Sequence, residues 1–208
     1  MKLKLFLYLV TFIVFTNISK SYAQNFLIIG DSNINNTNIS KLLTTKHMQF
    51  STIDKFAGDI QFIYSEFKRP QLKKLQIALK QKLKCVFILI GTNDLFLHNR
   101  SIDQVNNDYA KFIKFLIKYE NLENICTISL LPRSNKKNNQ KIIKFNNELK
   151  KLGHNIKEKK VLYFDIYYKF TIKGENLKQN ENFFSDGLHL NKAGYAEFKK
   201  ILHSLIKF

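Results

Sequence analysis

Five short apolar runs, separated by amphipathic stretches, constrain the fold of this chain more than any other feature. They are Phe26-Leu27-Ile28-Ile29, Met48 to Ile53, Val86 to Ile90, Ile125 to Leu131 and Val161 to Phe164. Met48 to Ile53 is the weakest of them. The others are apolar at nearly every position, not at alternate ones, which suits strands buried on both faces of a parallel sheet. Between them the period changes. Gln71 to Lys84 carries Leu72, Leu75, Leu79 and Leu83 at helical spacing, behind a Pro70 that a first helical turn accepts. Ser101 to Tyr119 opens with a Ser-Ile-Asp-Gln capping box and continues with Val105, Tyr109, Phe112, Phe115 and Leu116. Asn139 to Ile156, and Asn191 onward, repeat that pattern. The alternation predicts an α/β sandwich with a five-stranded parallel sheet and right-handed crossovers.

The first 23 residues stand outside this pattern. Lys2 and Lys4 precede an apolar run from Leu5 to Phe15, and Ser21-Tyr22-Ala23 sets small residues two apart. This is the layout of a secretory signal peptide cleaved after Ala23. As a helix the run would span about 17 Å, against about 30 Å of bilayer hydrocarbon, so a membrane anchor is the poorer reading. The expectation is a signal at 1–23, one domain at 24–208, and export to the periplasm or the extracellular space. Cleavage would take 23 residues, with Lys2, Lys4 and Lys20, from a chain of 208 at +18, leaving 185 residues at +15. Cys85 and Cys126 each fall in a strand-like run and read as small core residues, although export would permit a disulfide.

Ligands of open α/β sheets bind beyond the carboxyl ends of the strands. Gly30-Asp31-Ser32-Asn33 follows the first run, Ala57-Gly58-Asp59 the second and Gly91-Thr92-Asn93-Asp94 the third; Ser185-Asp186-Gly187-Leu188-His189 precedes the last helix. Each fragment alone is ordinary turn or cap chemistry. Together they supply the parts of an acyl-transfer site. Ser32 offers a hydroxyl, His189 an imidazole base, and Asp186 a carboxylate to orient that imidazole. The backbone N–H groups of Ser32 and Gly58 and the Asn93 amide can form an oxyanion hole. Asp31 and Asp94 read as turn-fixing residues. Leu95 and Phe96, just after Asn93, are weak candidates for substrate contact. The stretch Tyr167 to Phe184, with Tyr168, Phe170, Phe183 and Phe184, reads equally as a cover or as core.

These blocks resemble those of the SGNH hydrolases, the GDSL esterase/lipase family. Gly30-Asp31-Ser32 is similar to the first block, Ala57-Gly58-Asp59 more loosely to the second, Gly91-Thr92-Asn93-Asp94 closely to the third, and Asp186-Gly187-Leu188-His189-Leu190-Asn191 closely to the fifth. The resemblance implies a flavodoxin-like three-layer α/β/α sandwich and hydrolysis through an acyl-enzyme, with no metal and no cofactor. It makes Ser32 the nucleophile, His189 the base, Asp186 its orienting partner, and Gly58 and Asn93 oxyanion donors. Ser129-Leu130-Leu131-Pro132-Arg133, with Phe145-Asn146, also resembles the platelet-activating-factor acetylhydrolase-like branch.

Thirty-four Lys and Arg against sixteen Asp and Glu invite a nucleic-acid reading, but only Arg69, Arg100 and Arg133 are arginines. Base readout and bidentate phosphate clamping favour arginine. The lysines scatter over helix faces, so no nucleic-acid partner is expected. The plainer reading of the charge is a solvated surface; the sharper one is peripheral contact with anionic membrane or cell-wall polymers. The function expected is an exported serine esterase on short-chain or O-acetyl esters of small-molecule, lipid or glycan alcohols, acting as a monomer. The alternatives are a lysophospholipase or thioesterase on longer chains, and a non-catalytic carbohydrate- or lipid-binding module on the same fold.

Overall fold

The computed structural model describes residues 24–35, 39–54, 60, 70–155 and 160–206. The expected signal at 1–23 and the expected oxyanion donor Gly58 lie outside the described residues. Strand β1 (Gln24–Gly30) pairs in parallel with β2 (Met48–Asp54) on one side and β3 (Leu83–Leu89) on the other. Strands β4 (Leu122–Ile128) and β5 (Lys160–Phe164) complete a parallel sheet of order β2-β1-β3-β4-β5. The apolar runs form strands because both sheet faces are covered. Phe26, Leu27, Ile28 and Ile29, like Val86, Phe87 and Ile88, are at most 1% exposed.

Helices α1 (Ser32–Asn35), α2 (Ile39–Leu43), α3 (Pro70–Leu79), α4 (Thr92–Phe96), α5 (Ile102–Ile117), α6 (Lys136–Asn155) and α7 (Lys192–Leu205) flank the sheet in the three-layer arrangement. Helix α5 starts where the capping box puts it: Ser101 accepts from the Gln104 N–H, and the Gln104 side chain accepts from the Ser101 N–H. Its buried face carries Val105, Tyr109, Phe112, Ile113 and Leu116. Each such side chain contributes about 1.5–3 kcal/mol of burial. The chain winds one way from β1 to β2, then crosses back over β1 to β3. That reversal opens a crevice at the carboxyl ends of β1 and β3.

The structure departs from the sequence pattern in four places. Leu83 keeps the leucine spacing of α3 but belongs to β3, where it pairs with Leu122. The run ending at Leu131 leaves the sheet after Ile128, because side chains take the next backbone groups. Ser129 Oγ accepts the N–H of Ile166 and Tyr167, both at 2.9 Å, and Asn146 pairs with the backbone of Leu130. A two-stranded antiparallel hairpin, β6 (Thr171–Ile172) and β7 (Glu175–Gln179), has no counterpart in the sequence reading. Finally, Cys85 and Cys126 are buried, but they are joined as a disulfide and are not separate core thiols. Cys85 lies opposite Asn124, two residues from Cys126, so the two sulfurs share one sheet face with Cα atoms 6.5 Å apart.

Candidate active site

Ser32 opens α1 directly beyond β1. The turn that delivers it is tight: a Cβ on Gly30 would lie 2.1 Å from Ile34 Cγ1 and 2.8 Å from the Leu89 carbonyl oxygen. Only glycine lets the chain pass there. Asp31 secures the turn by accepting the Asn33 N–H at 3.1 Å. Ser32 itself is 9% exposed, enough to meet a ligand.

Asp186 and His189 arrive from the other end of the chain, on the turn before α7. His189 Nε2 is 3.0 Å from Ser32 Oγ, and His189 Nδ1 is 2.7 Å from Asp186 Oδ2. Asp186 Oδ1 also accepts the N–H of Leu188 at 3.0 Å and of His189 at 2.7 Å, so the carboxylate organises its own turn. With a proton on Nδ1 donated to Asp186, Nε2 is left as acceptor for the serine hydroxyl. Gly187 has φ +75°, and a Cβ there would stand 2.9 Å from Ser134 Cβ.

Asn93 lies in the first turn of α4, at the carboxyl end of β3 and therefore beside the end of β1. Asp94, fully buried, accepts from Arg100 Nη1 at 2.7 Å and from the backbone N–H of Ile60 at 3.0 Å. Ile60 stands two positions after Gly58, so the residue that follows the second motif is tied to the third. Leu95 is in the core at 1% exposed. Phe96 is half-buried, with the Arg133 guanidinium 4.7 Å above its ring and Lys141 Nζ at 5.4 Å. Of the aromatic stretch, Tyr167, Phe170 and Phe184 are core and Tyr168 is exposed.

Two carboxylates of this region titrate far from the ordinary range. Burial pushes Asp31 up to about 6, against hydrogen bonds from Asn33 and Thr92. The hydrogen bond from the His189 side chain, followed by the His189 backbone N–H, holds Asp186 down at about 2. Asp186 is therefore an anion at any working pH, placed to stabilise an imidazolium. Among the described residues, no three His, Cys, Asp or Glu side chains gather to hold a metal ion.

The model of the GDSL-like lipase/acylhydrolase family matches residues 13–202. The chain belongs to that family. GDSL-like acylhydrolases are ester-bond hydrolases, and this chain is one of them. A Streptococcus pneumonia structure provisionally described as a platelet activating factor is 22% identical over 91% of this chain and 86% of its own, with TM-score 0.73. A GDSL-like lipase from Bacteroides thetaiotaomicron is 16% identical over 88% of each chain, with TM-score 0.68. The acetyl xylan esterase AlAXEase is 19% identical over 87% of this chain and 98% of its own, with TM-score 0.65. These likenesses are of fold. No curated protein is significantly similar in sequence.

In this GDSL-like acylhydrolase the sequence reading missed the residues that bring the motifs together. Asn33 Oδ1 accepts the Leu190 N–H at 3.3 Å, and the Asn33 carbonyl accepts the Tyr195 hydroxyl at 2.8 Å. One asparagine thus joins the serine turn to the histidine turn. Gln179 Nε2 donates to the carbonyls of Pro132 at 2.8 Å and Gly187 at 3.2 Å, hanging the histidine turn from β7 and the loop after β4. Asn33 adjoins a recognisable block and could have been suspected. Gln179 sits in a polar stretch with no signal.

Proposed function

We propose that this acylhydrolase is an exported serine esterase whose nucleophile is Ser32, with His189 as base and Asp186 as its orienting partner. The observation that carries the reading is the hydrogen-bond chain from Asp186 through His189 to Ser32, at 2.7 and 3.0 Å. Ser32 Oγ bonds to the ester carbonyl carbon while its proton passes to His189 Nε2. The backbone N–H groups of Ser32 and Gly58 and the side-chain amide of Asn93 receive the oxyanion. Collapse of the tetrahedral species breaks the bond to the alcohol oxygen, which takes the proton from His189. Water, deprotonated by the same nitrogen, then releases the acid and restores Ser32.

Short-chain or O-acetyl esters are the substrate class, a choice supported by the structural likeness to acetyl xylan esterases. Export is supported by the signal-like layout of residues 1–23, and by the Cys85–Cys126 bond, which suits an oxidising compartment. The protein acts as a monomer, and its lysine-rich surface is a solvated one; salt-sensitive partitioning onto anionic vesicles would favour contact with membranes or wall polymers instead.

Ser32→Ala tests the assignment. The variant should lose at least about 10⁴-fold in turnover of p-nitrophenyl acetate while keeping its circular dichroism spectrum. It should also lose labelling by a fluorophosphonate probe. Wild-type turnover in the folded variant ends the reading. Rates along a C2 to C16 ester series should fall with chain length; a rise would favour a lysophospholipase or thioesterase.

A further inference from the structure

Arg133 is the unexplained cation of the site. Its backbone is locked by Asn139, itself fully buried: Asn139 Oδ1 accepts the Arg133 N–H at 2.7 Å, and Asn139 Nδ2 donates to the Arg133 carbonyl at 2.6 Å and the Leu177 carbonyl at 3.0 Å. Its guanidinium lies on the Phe96 ring. Phe96 stands one helical turn from Asn93 on α4, so the two share a helix face. Among the described residues the guanidinium makes no hydrogen bond and no ion pair, although it is half-buried. Asp186 is near enough for its charge to act on Arg133, yet its carboxylate is occupied by His189. Lys141, the other cation on Phe96, is already engaged by the carbonyls of Leu95 and Arg100.

A guanidinium carries five donors in a planar fork. Stacking on Phe96 satisfies its face and, among the described residues, leaves its edges without acceptors. With backbone and side chain both held, little conformational freedom remains to be lost on binding. Such a fork matches a carboxylate or phosphate bidentately.

We propose that Arg133, seated on Phe96 beside the Asp186–His189 turn, is a subsite for an anionic group on the alcohol part of the ester. The alcohol side is chosen because His189 must face the leaving oxygen and Arg133 flanks the turn that carries His189. This inference rests on the esterase reading and narrows its substrates to acidic esters, with phosphate or carboxylate as the anion.

The test compares 4-acetoxybenzoate with its neutral methyl ester, and 4-acetoxyphenyl phosphate with phenyl acetate. Each is cleaved to acetate and the corresponding phenol. The readout is the ratio of kcat/KM for the anionic ester to that for its neutral partner. This ratio does not depend on how much of a variant is folded. Arg133→Met should lower the ratio at least tenfold for one or both pairs, and Arg133→Lys should lower it less. Which pair responds identifies the anion. A ratio unchanged within twofold for both pairs in Arg133→Met overturns the subsite, because a structural cation would affect both partners alike.

Calorimetric titration of phenyl phosphate into the Ser32→Ala protein separates this inference from the reading beneath it. That binding should weaken at least tenfold when Arg133→Met is added. Loss of all ester turnover and of fluorophosphonate labelling in the wild type would end the esterase reading. The phenyl phosphate titration would still decide the subsite, which unchanged binding would overturn.

Discussion

Two carboxylates in the same region, Asp31 and Asp186, are driven in opposite directions by their surroundings. Asp31 is held at about 6, so the folded chain keeps a proton between roughly pH 4 and 6 that the unfolded chain has released. Ionising Asp31 therefore costs stability, and its contribution improves as pH falls through 6 toward 4. Asp186, held at about 2, has the reverse sign: its contribution is present above pH 4 and is lost as pH falls toward 2. Asp31→Asn keeps an acceptor for the Asn33 N–H and removes the buried charge. It should stabilise the protein by about 1–3 kcal/mol at pH 7, with the gain nearly gone at pH 4. Urea unfolding at the two pH values measures this. An equal change at both would mean that burial of charge is not the cause.

Helices α4 and α5 are joined through a residue that lies in neither. Arg100 donates to Asp94 in α4 and to Asp108 in α5, two carboxylates with at most a tenth of their side-chain surface exposed. Removing one partner of a buried pair leaves a charge without compensation. Arg100→Met should therefore cost about 3–5 kcal/mol in urea unfolding. It should also slow ester turnover, because Asp94 follows Asn93 and anchors Ile60. A cost under about 1 kcal/mol would place this trio among ordinary surface pairs. Elements of this kind show how far the sequence could be read. Strands β1 and β3 were legible because nothing but double-sided burial explains unbroken runs such as Val86 to Ile90. Helix α5 announced its own first turn. Leu83 misled, since leucine spacing cannot tell the last turn of α3 from the first residue of β3. The hairpin β6–β7 was invisible, because Glu-Asn-Leu-Lys-Gln has neither alternation nor β-branched residues, and its Leu177 and Gln179 are held by residues distant in the chain, Asn139 and Pro132. The same division holds for the site. Ser32, Asp186 and His189 sit in compact motifs, whereas Asn33, Gln179 and Arg133 matter through partners that only the folded chain brings near.

At the scale of the whole molecule, the Cys85–Cys126 bond closes a loop of 41 residues that contains α4 and α5. A cross-link of that span restricts the unfolded chain by up to about 4 kcal/mol. The double variant Cys85→Ala/Cys126→Ala should unfold at lower urea, with a loss of about 2–4 kcal/mol, and an unchanged midpoint would show that the link adds nothing. The segment it restrains also carries Asn93, so the proposed oxyanion side of the crevice is pinned to the middle of the sheet. The other side is assembled from far apart: Ser32 and His189 are separated by 157 positions. At about 5–20 residues per second, a ribosome needs roughly 8–30 s to go from the codon of one to the codon of the other. Throughout that interval the emerging chain holds the proposed nucleophile without its base. Tyr195, whose hydroxyl caps the Asn33 carbonyl, is made later still. On the proposed chemistry, ester cleavage begins only after His189 has been made and α7 seated, and a chain stalled or clipped before that point carries no activity to misdirect.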